Sequence, residues 1–184
     1  LTSTNGVHNA LVSPSGNYVL DQYNNLNTPY TLQVINTKNG QIKSVYEANN
    51  PFTGQINLPK IEFKEFLSPD GKTPLNARIT YPTNFDSSKK YPVMLYLYGG
   101  SHAQMIADRW LGGVGYFDLY MAQSGYLVFT LDNRGSDARG RDFTRVTHRQ
   151  LGEAEMADQL VGINYLTSLP YVDKENMGIF GWSY

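Results

Sequence analysis

Past Pro92 the chain alternates apolar runs of fewer than ten residues with longer mixed segments, the runs being Val93 to Tyr98, Tyr126 to Leu131 and Met177 to Phe180. No other feature narrows the fold as much. A strand that is apolar on both sides must be covered on both sides, which is the condition of the parallel strands of an α/β sheet. The mixed segments supply the cover. Glu153 to Leu169 carries Met156, Leu160 and Ile163 beside Ala157, Val161 and Tyr165, the three-and-four spacing of an amphipathic helix. A shorter helical stretch around Phe117 to Gln123 is followed by Gly125, where a left-handed cap favours glycine. The pattern predicts an α/β fold built as a doubly wound sheet.

The first part of the chain follows a different pattern. Short strand candidates at His8 to Val12, Tyr18 to Tyr23 and Tyr30 to Ile35 are broken by Ser13-Pro14-Ser15-Gly16-Asn17 and Asn39-Gly40, which is antiparallel β with turn chemistry between strands. Four short strands over roughly forty residues is the size of one β-propeller blade, and a small sandwich sheet gives the same pattern. A single blade cannot close a propeller, so its companions are expected upstream. Ile61 to Phe66 and Leu75 to Tyr81 flank Ser68-Pro69-Asp70-Gly71 and predict a hairpin. Asn49-Asn50-Pro51 through Pro59 has the composition of a linker, which divides the chain into residues 1–58 and 59–184.

Fifteen Lys and Arg against sixteen Asp and Glu argue against a nucleic-acid partner. The absence of cysteine removes disulfides, thiolate nucleophiles and Cys-ligated metal from this stretch. No apolar run is long enough for a membrane helix, and the start of the chain lacks the charged and apolar regions of a secretory signal. Opening at Leu1 without Met, the chain is expected to begin within a longer protein.

Chemistry concentrates in Ile179-Phe180-Gly181-Trp182-Ser183-Tyr184, an apolar strand ending in Gly-x-Ser-x, four fifths of the nucleophile-elbow pattern. The elbow needs small neighbours because its serine occupies a strained strand-to-helix turn. A serine hydroxyl is a poor nucleophile until a histidine takes its proton and a carboxylate orients that histidine, and in the α/β-hydrolase order both follow the serine. Using His8, His102 or His148 as the base would require another chain order. His148, beside Arg149, reads as structural or solvent-facing. His102 lies in Tyr98-Gly99-Gly100-Ser101-His102, the loop that supplies part of an oxyanion hole, so it is expected near the site without being the base.

An oxyanion needs donors fixed in advance, each worth roughly 3 kcal/mol of barrier. The backbone N–H of Tyr184 is one candidate, and the Tyr98 hydroxyl or a loop N–H is a second, although Tyr98 also reads simply as the end of a buried strand. Asp132-Asn133-Arg134-Gly135-Ser136 follows another strand, at the edge where open α/β sheets bind ligands. Asp132 and Arg134 can bind substrate there, or brace loops through a salt bridge, which is the commoner role. Glu153, Glu155 and Asp158 have the spacing of a helix's first turns, where carboxylates favour the dipole, and not that of a metal site. Trp110 and Trp182 are bulky enough for core or pocket wall.

Taken in order, Tyr98-Gly99-Gly100, Asp132-Asn133-Arg134-Gly135-Ser136, Arg149-Gln150-Leu151-Gly152, Asp158-Gln159 and Gly181-Trp182-Ser183-Tyr184 resemble the dipeptidyl-peptidase IV family of serine peptidases, in the prolyl oligopeptidase clan. Tyr98 to Gln104, Tyr120-Met121-Ala122-Gln123 and Glu155-Met156-Ala157-Asp158-Gln159 look most like bacterial prolyl tripeptidyl peptidases. The resemblance spans the chain. It implies the last propeller blade up to residue 58, then the first half of an α/β-hydrolase domain that stops at its nucleophile elbow. It also implies Ser183 as acylated nucleophile, the Tyr98 hydroxyl and Tyr184 N–H as oxyanion donors, and the Tyr184 ring as a wall of the proline pocket. Trp182 would pack behind the elbow and Arg134 would give structural support. No cofactor and no metal are implied. The expected partners are peptides with a free N-terminus, and a homodimeric parent in the periplasm or cell envelope would suit a bacterial source. Ser101 departs from the proline the family often has there. The triad Asp and His are expected beyond Tyr184, so the 184 residues alone are expected to be inactive. The competing readings are an acylaminoacyl peptidase, oligopeptidase or esterase on the same fold, and a non-catalytic propeller-hydrolase scaffold.

Overall fold

The computed structural model describes residues 2–100 and 102–183. They form two compact units, one running to Asn57 and joined by Ala107–Val114, the other comprising Leu58–Ile106 and the chain from Gly115 onward. Residues 107–114 lie within the later part of the sequence but pack with the earlier strands. Hydrogen bonds explain this. Asp108 Oδ1 accepts from the Leu26 N–H at 2.8 Å, Asn24 Oδ1 accepts from the Trp110 N–H at 2.8 Å, and the Leu111 N–H donates to the Leu26 carbonyl at 3.2 Å.

The first unit is an antiparallel meander of β1 (Val7–Val12), β2 (Tyr18–Asn25), β3 (Thr28–Asn36) and β4 (Ile42–Glu47) in sequential order. Its first turn closes as the Ser13-Pro14-Ser15-Gly16 chemistry dictates: the Gly16 N–H reaches the Ser13 carbonyl at 2.9 Å with Gly16 at φ +68°. Val19, Tyr23 and Ile35 are buried, whereas Leu11, Val12, Val45 and Tyr46 stay exposed. Asp21 is fully buried between strands and accepts from His8 Nδ1 at 2.7 Å and Gln33 Nε2 at 2.8 Å. The second His8 ring nitrogen donates to the Thr4 carbonyl at 3.0 Å, and the ring stacks on Tyr23.

The second unit is a mixed five-stranded sheet in the order β5 (Ile61–Leu67), β6 (Pro74–Thr80), β8 (Leu127–Asp132), β7 (Tyr91–Leu97), β9 (Val172–Gly181). β5 and β6 form the expected hairpin and join β8 antiparallel, so only β8, β7 and β9 are parallel. α1 (Tyr116–Gln123) connects β7 to β8, and α3 (Ala154–Ser168) connects β8 to β9. Because β7 lies between β8 and β9, the two crossovers run in opposite directions, and right-handed connections then place their helices on opposite faces. Side chains agree. Phe117 of α1 stacks on Phe180, which pairs with Tyr96, while Gly162 of α3 lies against Phe129 and Leu131 on the other face.

β8 is buried along its whole length, as its unbroken apolar run requires, and with Leu75, Ala77, Ile79, Val93, Leu95 and Leu166 it makes the core. A Cβ at Gly162 would come within 2.6 Å of the Phe129 ring, so glycine is what allows α3 to close on the sheet. Two short elements were not legible in the pattern: a 3-10 turn at Trp110–Gly113 and α2 at Arg141–Arg145. Both are too short for hydrophobic periodicity to register. Among the described residues, no helix is long and apolar enough to cross a membrane.

Candidate active site

The three parallel strands end at one edge. β7 and β9 run in register to their last residues, with Leu97 opposite Gly181, and Leu95 pairs with Phe129 of β8. This register brings three loops to the carboxyl edge of the sheet: Tyr98-Gly99-Gly100 after β7, the loop from Asn133 to Ser136 after β8, and Trp182-Ser183 after β9. In an open α/β sheet that edge is where ligands bind.

Ser183 has φ +66°, a left-handed conformation that non-glycine residues seldom adopt. It occurs two residues past the last member of an extended strand, Gly181, which approaches β7 so closely that a Cβ would meet the Leu97 carbonyl oxygen at 3.2 Å. Glycine before and a strained serine after are the two halves of a sharp turn that lifts a hydroxyl above a sheet. The Ser183 side chain is exposed and lines a cleft of about 390 Å³ together with Gly99, Asn133, Met156, Gln159 and Trp182, among others. Trp182 is 74% exposed and forms part of this cleft.

The loop after β8 is held rigidly. Arg134 grips Asp158 of α3 in a two-pronged pair, Nε lying 3.1 and 3.0 Å from the two carboxylate oxygens and Nη2 2.9 Å from Oδ1, while the Arg134 N–H adds a bond of 2.8 Å. Asp70, from the β5–β6 turn, lies 3.3 Å from Nη1. The Asp158 carboxylate raises the pKa of the guanidinium. Asp70 is held well below the usual carboxylate range, first by the Thr73 hydroxyl and N–H, with Arg134 a smaller influence. Asp132 does not pair with Arg134. Its two oxygens accept the N–H groups of Met105 at 2.9 Å and Ile106 at 3.0 Å, and burial pushes its carboxyl up despite those bonds. Both residues brace loops, therefore, but each through a different partner.

Two residues that the sequence reading left without a role join the loops to one another. Asn133, fully buried, donates to the Gly99 carbonyl at 3.0 Å and accepts from Gln159 Nε2 at 2.9 Å; Gln159 Nε2 also reaches the Leu131 carbonyl at 3.0 Å. The Tyr98 loop is thus tied to β8 and α3 through one amide. A polar pair on a strand end and a helix carries no local signal, since each residue alone reads as solvent-facing. Glu155, at the start of α3, accepts the Gly152 N–H at 3.1 Å, a contact that fits the helix start and not a metal.

Tyr98 is half-buried immediately beyond β7. Tyr184, expected as an oxyanion donor and a proline-pocket wall, and Ser101 lie outside the described residues. Of the histidines, His8 has both ring nitrogens engaged, which leaves neither lone pair to act as a base. His102 and His148 are exposed and line a second cleft beside the one containing Ser183.

Residues 117–184 match the model of the prolyl oligopeptidase family. The chain is similar to a probable dipeptidyl peptidase 4 of Neosartorya fischeri, 35% identical over 97% of this chain and 24% of that protein. The dipeptidyl peptidase 4 of Trichophyton equinum is 33% identical over 96% and 23%. Among solved structures, a putative dipeptidyl aminopeptidase IV from Bacteroides ovatus superposes with a TM-score of 0.93 at 43% identity, covering 96% of this chain and 25% of that one. The dipeptidyl peptidase 4 of Porphyromonas gingivalis does so with 0.86 at 31%, covering 100% and 26%. The chain thus spans about a quarter of the length of each.

Proposed function

Given that this chain belongs to the dipeptidyl-peptidase-IV-like serine peptidases of the prolyl oligopeptidase family, we propose that Ser183 is the acylated nucleophile of an exopeptidase that releases N-terminal di- or tripeptides after proline. The single observation that carries this reading is the left-handed Ser183 after Gly181 at the carboxyl edge of three parallel strands. Names of the relatives add support for the substrate class. In this reading β1–β4 are a propeller blade, and the second unit holds the hydrolase strands up to the nucleophile.

In the reaction, Ser183 Oγ adds to the carbonyl carbon of the scissile bond while its proton passes to a histidine base. The oxygen of the tetrahedral intermediate takes hydrogen bonds from the Tyr98 hydroxyl and the Tyr184 N–H, the C–N bond breaks, and the leaving amine takes the proton. Water then releases the acyl group. The bond from Asn133 to the Gly99 carbonyl holds the Tyr98 loop in place for this role, and the Arg134–Asp158 pair holds Asn133's own loop. Tyr184's ring is assigned to the proline pocket on the family resemblance alone.

Because His8 is fully engaged and the family's base follows its serine, the 184 residues expressed alone are expected not to hydrolyse peptides. The direct experiment on the whole protein is a fluorophosphonate probe with peptide mapping, run beside Gly-Pro and Ala-Ala-Pro anilides. Labelling of Ser183 with release from either substrate is the expected result, and the substrate chosen reports whether two or three residues leave. A folded protein that takes no label and releases nothing is a binding scaffold, and the enzyme reading fails.

A further inference from the structure

The cleft next to that of Ser183 has a volume of about 780 Å³ and is lined by His102, Thr144, Arg145, Thr147, His148, Arg149 and Leu151. Its chemistry is one-sided. Two guanidiniums and two imidazoles face it, and no carboxylate is among its walls. The ion pairs of the described residues leave Arg145 and Arg149 without an acidic partner, in contrast to Arg134, which holds two carboxylates. Arginine stays charged at any physiological pH, so among the described residues two guanidinium charges line this cleft without a paired carboxylate.

Backbone conformation picks out the same place. Only five non-glycine residues among those described have positive φ, and three of them are Ser183, at +66°, His102, at +67°, and Arg149, at +62°. Left-handed backbone is tolerated at histidine more readily than at arginine, so Arg149 is the more telling of the two. Strain of this kind persists where the surrounding structure holds a side chain in a required direction.

The two clefts are lined from the same loops. Gly99 lines the Ser183 cleft and His102 the basic one, both on the loop after β7; Leu151 lines the basic cleft and Gly152 the other. A peptide whose carbonyl is at Ser183 and whose leaving part runs along these loops would meet the basic cleft. In acyl transfer the amine that leaves carries away the C-terminal part of the substrate, whose carboxylate is the one negative charge every unblocked peptide possesses.

We propose that Arg145 and Arg149, with His102 and His148 as further N–H donors, form an anion subsite that binds the C-terminal carboxylate of a short leaving peptide. This rests on the peptidase reading above and deepens it: the preferred substrates are short peptides with a free C-terminus, in which both ends are recognised. Arginine is suited to the task because its planar fork meets a carboxylate with two parallel hydrogen bonds.

The test uses the whole protein and pairs of peptides cleaved at the same bond, with leaving parts of one to three alanines ending in a free acid or an amide. Product is followed by mass spectrometry. For at least one length the acid is expected to exceed the amide in kcat/KM by roughly tenfold, falling with added salt because the contact is between charges near solvent. In Arg145→Gln/Arg149→Gln the acid-to-amide ratio should fall to about one, and in Arg149→Lys it should be partly kept. Taking the ratio within each variant cancels any general loss of activity. Equal rates for acid and amide in the unmodified protein at every length, or a ratio unchanged in the double variant, overturns the subsite and leaves the peptidase reading intact. If inorganic phosphate binds, weakens on the double substitution, and yet no acid preference exists, the cleft takes free anions and its assignment to the leaving peptide is wrong. A folded protein that cleaves neither these peptides nor the anilides removes both readings together.

Discussion

Two loops at the same sheet edge are built in opposite ways. After β8, every polar group from Asp132 to Arg134 has a protein partner: Asp132 takes two backbone N–H groups, Asn133 is tied to Gly99 and Gln159, and Arg134 is clamped on Asp158. After β9, Ser183 stands exposed on a left-handed backbone beside an exposed tryptophan. One loop stores stability and the other stores strain. A nucleophile needs access and a fixed direction, and on the proposed function the braced loop would supply the direction and the strained one the access.

The sharpest way to break this contrast is to exchange the consequences of mutation. Ser183→Gly in the whole protein is expected to lower peptide release by about a thousandfold or more, as loss of a nucleophile does. Its thermal midpoint should hold or rise, because glycine accepts φ +66° without a Cβ penalty. A variant that melts early would mean that Ser183 is part of the brace. Asp158→Ala should do the reverse to stability. It leaves the largely buried Arg134 guanidinium with Asp70 alone and frees its N–H, at about 3 kcal/mol, read in denaturant unfolding. A loss below about 0.5 kcal/mol, the range of surface pairs, would show that the clamp is ornamental.

Gly162→Ala tests the packing under both loops. The added methyl meets the Phe129 ring at 2.6 Å, and the expected cost is about 1–3 kcal/mol with α3 displaced from the sheet. An unchanged stability would mean that α3 can shift freely, and Asn133 would then need another anchor than Gln159.

The smallest expected effect lies in the first unit, where His8 on Asp21 is a brace that can be switched. Burial works against its protonated form, but the Thr4 carbonyl and Asp21 outweigh it and raise the pKa above the ordinary histidine value. A raised folded pKa gives stability that is fully present below the unfolded value of about 6.5 and disappears as pH rises through the folded one. The difference in unfolding free energy between the protein and His8→Gln should therefore shrink from about pH 6 to pH 8, by about 1 kcal/mol or less. A difference that is flat across that window would place the neutral imidazole on Asp21.

Much of this was legible in the residues. The unbroken apolar run of β8 foretold a strand buried on both faces, the spacing from Met156 to Tyr165 foretold α3, and Gly-Trp-Ser at the end of an apolar strand marked the turn at Ser183. What was hidden depended on distance in three dimensions. Arg134 was read beside Asp132, its neighbour in sequence, yet it reaches Asp158 24 residues away. Arg145 carried no signal, and Arg149 and His102 were read only within separate motifs; the three line one basic cleft only in the fold.

The sequence by itself determined the alternation of strands and helices and the place of the serine turn, because periodicity and glycine placement act over a few residues and need no partner. Only the tertiary structure decided that the sheet is mixed, that residues 107–114 return to the first unit, and which carboxylate holds which arginine. Those outcomes depend on hydrogen bonds and charges between segments far apart in the chain, whose pairing is fixed by the fold as a whole and is written in no single stretch of it.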